Sequence, residues 1–175
     1  MKTLNRPNHH KLATTLACHF PEYRKNQLEV LVLMVYALIK AQNVKHSKLA
    51  ERFPGEAKHA SVVRRIERFF ESFPIVQADV APLVLACLGS KGKLTFILDR
   101  SNWQLGQTPI NALVLSVVYE NIAIPLLWEF LDHKGCSNQD NRMELMGDLL
   151  SLLPLGRIGQ VLADREFIGQ NWFEF

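Results

Sequence analysis

Residues 93–103 read KLTFILDRSNW, and this stretch decides the fold. Leu94, Phe96 and Leu98 fall on one side of an extended chain, and Thr95, Ile97 and Asp99 on the other. That alternation predicts a short strand ending on Asp99. A second stretch, GQVLADREF at 159–167, predicts a strand over 158–164 that ends on Asp164. Each carboxylate is followed directly by an arginine, Arg100 in the first stretch and Arg165 in the second. Carboxylates at the ends of neighbouring buried strands are a recurrent way to hold divalent metal for phosphoryl transfer.

Between the two stretches lie the elements that would bring them together. A polar loop with Gly106 and Pro109 leads to a Val- and Leu-rich strand over 110–119. The Glu120-Asn121 turn joins it to a strand over 122–130, so these two are antiparallel. Pro125 has no N–H to give to a ladder, which sends the third strand to a sheet edge. After a polar loop, 132–141, a helix over 141–153 takes its apolar side from Met143, Leu145, Met146, Leu149 and Leu150, and Pro154 and Gly156 end it. The order is strand, strand, strand, helix, strand. A right-handed crossover through the helix lays strand four parallel to strand one and beside it. Asp99 and Asp164 then finish at the same end of adjacent strands.

Outward from this core, residues 1–92 read as helices. The first runs over 8–20 and is closed by Pro21; the second, 22–42, is apolar nearly all round, as for the centre of a bundle. Ser47 caps a short helix that Pro54-Gly55 breaks after Phe53. The next helix, 56–73, has a core stripe of Val62, Ile66, Phe69 and Phe73, while Lys58, His59, Arg64, Arg65 and Arg68 project elsewhere. In outline the last two resemble a helix-turn-helix, with the alternative that the basic residues only solvate the helix. An apolar helix over 76–88 stops at Gly89, and Gly-Ser-Lys-Gly at 89–92 is the natural linker. The expectation is α+β overall, with a helical domain at 1–92 and a strand-bearing domain at 93–175.

Charge divides along the same line. Residues 1–92 carry 14 Lys and Arg against 7 Asp and Glu, and residues 93–175 carry 6 against 10, which leaves the chain at +3. A basic half beside an acidic half suggests one part that holds a polyanion and one that binds metal. Cys18, Cys87 and Cys136 are too far apart for a disulfide framework or a zinc pattern, which fits a reducing compartment. His133 and Cys136, an isolated pair in a polar loop, read as no metal site. The longest apolar run, 30–39, is too short to span a bilayer, and the N-terminus has no stretch of signal-peptide type. A cytoplasmic protein without membrane segments is the expectation.

Asp99, Ser101 and Trp103 in DRSNW, then Asp164 and Phe167 in ADREF, resemble the IS4 family of insertion-sequence transposases. The intervening INALVLSVVYENIAIPLLWEFL and the helical N-terminus also look like that family, so the resemblance covers essentially the whole chain. It implies an RNase H-like core and an Asp-Asp-Glu triad that uses magnesium to cut DNA at terminal inverted repeats. The freed 3′ hydroxyl is then joined to target DNA, usually by a dimer on paired ends. By resemblance Asp99 is the first triad carboxylate and Asp164 the second, both as magnesium ligands. The family's third carboxylate lies on a helix well downstream, in a Tyr-Arg-Glu-Lys signature that no Glu here matches. Glu166 reads as a surface residue or one behind the ligands. The expectation is thus the front part of a transposase, from a truncated gene or a first reading frame extended by frameshifting. The alternative is an inactive DNA-binding regulator of the complete enzyme. Lys58, Arg64, Arg65, Arg68, Arg100 and Arg165 are the candidate DNA contacts, with charge compensation of the acidic cluster equally open for Arg100 and Arg165. Trp103 stacks on a base or packs under the loop, and packing is the expectation.

Overall fold

The computed structural model describes residues 6–73, 76–132, 135, 137–164 and 167. The chain forms two compact units, Met1–Ile75 and Val76–Phe175. Among the described residues the architecture is α+β, with six α-helices and one mixed sheet of four strands.

The first unit is helical. It holds α1 (Arg6–His19), α2 (Lys25–Ala41), α3 (His46–Ala50) and α4 (His59–Ser72). Its core takes Val30, Met34 and Ala37 from α2, Leu49 and Ala50 from α3, and Val62, Ile66 and Phe69 from α4, with Phe73 just beyond. The stripe read from the sequence of α4 is therefore the stripe that is buried. Tyr23 packs edge-on against Phe73, with ring centroids 4.7 Å apart, and the Phe69 ring lies 4.6 Å from that of Phe73. Ser47 is not the cap of α3. The helix starts earlier, after Lys45, whose N–H donates to the side-chain oxygen of Asn43 at 2.9 Å, so the entry is shaped by Asn43. Eight residues, 51–58, separate α3 from α4. That connection is longer than the three to four residues of a tight helix-turn-helix.

The second unit starts with α5 (Gln77–Leu88) and continues with β1 (Leu94–Leu105), β2 (Thr108–Tyr119), β3 (Ile122–Phe130), α6 (Gln139–Leu152) and β4 (Ile158–Ala163). The boundary thus falls before α5 and not at the glycine-bearing linker. The reason is packing: Ala81, Val84, Leu85 and Leu88 of α5 join the sheet core with Leu94, Phe96, Leu98, Leu113, Leu115, Val117, Leu145 and Leu149. Gln77 adds a polar tie. Its amide nitrogen donates to the carbonyl of Trp128, and its amide oxygen accepts from the Trp128 N–H, both at 2.7 Å. One side chain thereby pairs with outward-facing backbone on β3. The charge asymmetry survives this shift, because Asp79 and Lys91 change units together.

The sheet order is β3-β2-β1-β4. The β2–β3 hairpin turns at Glu120 and Asn121, both at positive φ (47° and 65°), as a two-residue hairpin turn with right-handed twist requires. Pro125 lies on the edge strand, as its missing N–H demands. A register shift makes Ser116 face Pro125 while Leu115 faces Leu127, so Leu126 is the extra residue of a bulge. That is why two consecutive residues, Leu126 and Leu127, are both buried.

β1 departs from the expectation. It does not end at Asp99 but runs six residues further, paired with β2 down to Leu105 opposite Thr108. The expected polar loop is a two-residue turn, and Gly106 opens it at φ +63°, where a tight hairpin turn of this length takes glycine. α6 is capped by Asn138: its side-chain oxygen accepts from the Asn141 N–H at 2.8 Å, and Asn141 returns a bond to the Asn138 N–H at 3.3 Å. Among the described residues, no single helix is long and apolar enough to cross a membrane.

Candidate functional site

β4 lies parallel to β1 and next to it, with Leu98 opposite Ala163 as the last paired positions. Asp99 and Asp164 each come one residue later. Neighbouring strands lie about 5 Å apart, so this register puts the two residues side by side at one end of the β1–β4 pair. Alternation fixes the face. Phe96 and Leu98 are fully buried against the helices, and Asp99 is exposed on the opposite side. Asp164 is exposed as well.

Gly159 makes the close approach possible. The β1–β4 register shifts between Leu94 and Thr95, which leaves Gly159 as the extra residue. A Cβ there would lie 3.1 Å from both the Leu94 carbonyl oxygen and Lys93 Cβ. A side chain at this point would press β4 away from β1 just upstream of the carboxylates.

The two aspartates have different surroundings. A side-chain oxygen of Asp99 accepts from the Arg100 N–H at 2.8 Å, and the residue stands in a continuous strand. Asp164 follows the last residue of β4, and its carbonyl accepts from the Phe167 N–H at 2.9 Å, which closes a turn. Phe167 is buried in the sheet core. Two exposed carboxylates with no apolar cover are hard oxygen donors that suit magnesium, an ion that keeps much of its water. In a magnesium site they would supply part of a coordination shell. Among the described residues, no group of three or more His, Cys, Asp or Glu side chains is placed to hold an ion.

No protein family, curated protein or solved structure matches this chain. The functional reading therefore stands on its residues and their arrangement.

The remaining candidate residues fall into three places. Arg100 is half-buried on the helix-facing side of β1, where it donates to the Asn111 side chain at 3.4 Å. It lines a cavity of about 450 Å³ with Asn102, Gln104, Pro109, Asn111 and Gly135. The strand alternation that points Asp99 one way points Arg100 the other, so the two do not converge. Lys58, Arg64, Arg65 and Arg68 lie in the helical unit, all exposed, at or on α4. Arg64 and Arg68 are one turn apart, away from the buried Val62–Ile66–Phe69 stripe. Arg165 and Glu166 lie outside the described residues, as do His133 and Cys136.

Trp103 corrects the expectation that it packs under a loop. It is 50% exposed, because the loop meant to cover it is strand instead. It stands on the Asp99 face and lines a shallow cavity of about 390 Å³ with Ser101, Ala112, Val114, Pro125, Trp128 and Phe130. One residue that sequence reasoning passed over belongs to the surroundings of Asp164. Arg142 is a buried arginine in α6, and its guanidinium carbon lies 5.0 Å from the Phe167 ring centre. An arginine among the apolar residues of 141–153 was the available signal.

Proposed function

We propose that this chain belongs to a DDE transposase of the IS4 type. In this reading the sheet unit is an RNase H-like core, Asp99 and Asp164 are two of its three magnesium ligands, and the helical unit binds the element's terminal inverted repeats. The observation that carries it is the parallel pairing of β1 with β4, which makes Asp99 and Asp164 neighbours. Two carboxylates 65 positions apart in sequence meet at one end of one strand pair. The strand order, three antiparallel strands followed by a helix and a parallel fourth, agrees with such a core.

Bound magnesium would supply Lewis-acid activation of a phosphodiester and of the attacking oxygen. The chain's own residues act around that chemistry. Asp99 and Asp164 fix where positive charge can sit, and the Arg100 N–H orients one oxygen of Asp99. The exposed arginines of α4 suit backbone phosphates, and DNA contact there is sequence-independent unless base edges are also read. The third carboxylate would come from a downstream segment, and paired element ends would call for two copies.

The test uses a longer polypeptide that carries residues 1–175 and supplies the third carboxylate. With magnesium it is expected to cleave DNA at the element ends. Asp99→Asn or Asp164→Asn should each lower the cleavage rate by roughly a thousandfold or more, several kcal/mol of transition-state stabilisation. Undiminished cleavage in either variant would overturn the assignment.

A second reading, a regulator that binds the ends without cutting them, is favoured by the arginines of α4 standing exposed in a compact unit of their own. Gel-shift titration of the 175-residue chain at fixed salt decides it. Preference for the element ends over unrelated DNA is the expected result. Equal binding to both would remove the regulator role.

A further inference from the structure

We propose that Arg142 and Phe167 are a positioning pair that fixes the turn carrying Asp164. The inference rests on the metal reading of Asp99 and Asp164 above. The need for such a pair follows from where Asp164 stands. The ladder with β1 ends at Ala163, so no strand pairing holds the residue that follows. Its turn helps to hold it.

That turn is anchored from inside. Phe167, 2% exposed, is sunk into the sheet core, and its N–H donates to the Asp164 carbonyl at 2.9 Å. Over the Phe167 ring, at 5.0 Å, lies the guanidinium of Arg142, itself only 5% exposed. The guanidinium is held in plane by Ser137: Nε donates to Ser137 Oγ at 3.0 Å and Nη2 to the Ser137 carbonyl at 2.6 Å. A planar cation fixed by two bonds and stacked on an aromatic face sets both the height and the tilt of that ring.

The support extends one layer further. Ser137 precedes the Asn138 cap of α6, and Asn141 donates to a Glu129 carboxylate oxygen on β3 at 2.6 Å. The start of α6 is thereby tied to the sheet on one side and, through Arg142, to the Asp164 turn on the other. Arg142 is a positioning residue. It acts on Asp164 through Phe167. An apolar side chain would fill the same space and spare a buried charge its desolvation, but it would not orient the ring.

The test pairs a local readout with a functional one, on the 175-residue chain. Amide hydrogen exchange at Phe167 reports the bond to the Asp164 carbonyl, and Mn²⁺ affinity by electron paramagnetic resonance reports the carboxylates. In Arg142→Met and Phe167→Leu, Phe167 exchange is expected to rise at least about tenfold while the amide of Leu149, inside α6, keeps its rate. Mn²⁺ affinity should fall by roughly tenfold or more in the same variants, as it does when outer residues that orient ligands are removed. Arg142→Lys should fall between them and wild type, and Phe167→Tyr should restore both readouts. If Arg142→Met fails to fold, Phe167→Leu and Arg142→Lys still decide. Unchanged Phe167 exchange in the folded variants would overturn the proposal, and so would faster exchange with unchanged Mn²⁺ affinity. A wild-type chain whose Mn²⁺ binding is nil, or indifferent to Asp164→Asn, overturns the metal reading instead, and exchange at Phe167 alone then judges the pair.

Discussion

Asp99 and Asp164 stand side by side but are held in opposite ways. Asp99 is inside a twelve-residue strand, paired with β2 both before and after it. Its position is fixed by backbone hydrogen bonds that depend little on any one side chain. Asp164 stands just past a six-residue edge strand, and a turn hung on the buried Phe167 positions it. One carboxylate is placed by the ladder and the other by packing. The lesson is that two neighbouring carboxylates can have different sensitivities to mutation although their chemistry is the same.

This comparison can be broken most forcefully at Phe167. Phe167→Ala removes a fully buried ring from the sheet core and should cost about 3–5 kcal/mol, measured by urea unfolding of the chain. It should also loosen Asp164 more than the amides of β1 around Asp99, whose exchange should rise by no more than the loss of global stability dictates. Equal loosening of both aspartates would mean that they are not held independently. A smaller change sharpens the contrast at the point where β4 meets β1. Gly159→Ala places a methyl 3.1 Å from the Leu94 carbonyl oxygen, and overpacking there should cost on the order of 1 kcal/mol. Because it displaces β4 and not β1, exchange protection should fall in β4 and persist between β1 and β2.

The smallest effect on stability belongs to the other unit. Arg64→Ala and Arg68→Ala leave the buried face of α4 untouched, so each should change stability by no more than about 0.5 kcal/mol. If α4 lies along DNA, each lost phosphate contact should lower the slope of log affinity against log salt by about one. Unaltered slopes would separate α4 from DNA altogether.

Much of this was legible in the residues. The parallel placement of β4 beside β1 followed from the strand-helix-strand crossover, and Pro125 announced an edge. The core stripe of α4 was plain in its spacing. The length of β1 was not. Residues 100–104, RSNWQ, lack the apolar alternation of 94–98, because this part of the β1–β2 hairpin reaches beyond the helices and has little to bury. Its strand character is set by the tight turn at Gly106, a tertiary consequence and not a local pattern. The unit that α5 packs into is not legible for a related reason. Its apolar residues show that it is buried, but only the fold reveals against what. The Arg142–Phe167 pairing was hidden because Phe167 stands in the ADREF stretch while Arg142, 25 residues earlier, carries no motif.

The central claim is that Asp99 and Asp164 share one cation. A double-mutant cycle of Mn²⁺ affinity tests it most directly, with wild type, Asp99→Asn, Asp164→Asn and the double variant. Binding with two carboxylates should be weak, on the order of millimolar. The account predicts that each single variant loses nearly all of that affinity and that the double variant loses little more, the mark of a shared site. Independent, additive losses, or affinity that survives either substitution, would contradict it.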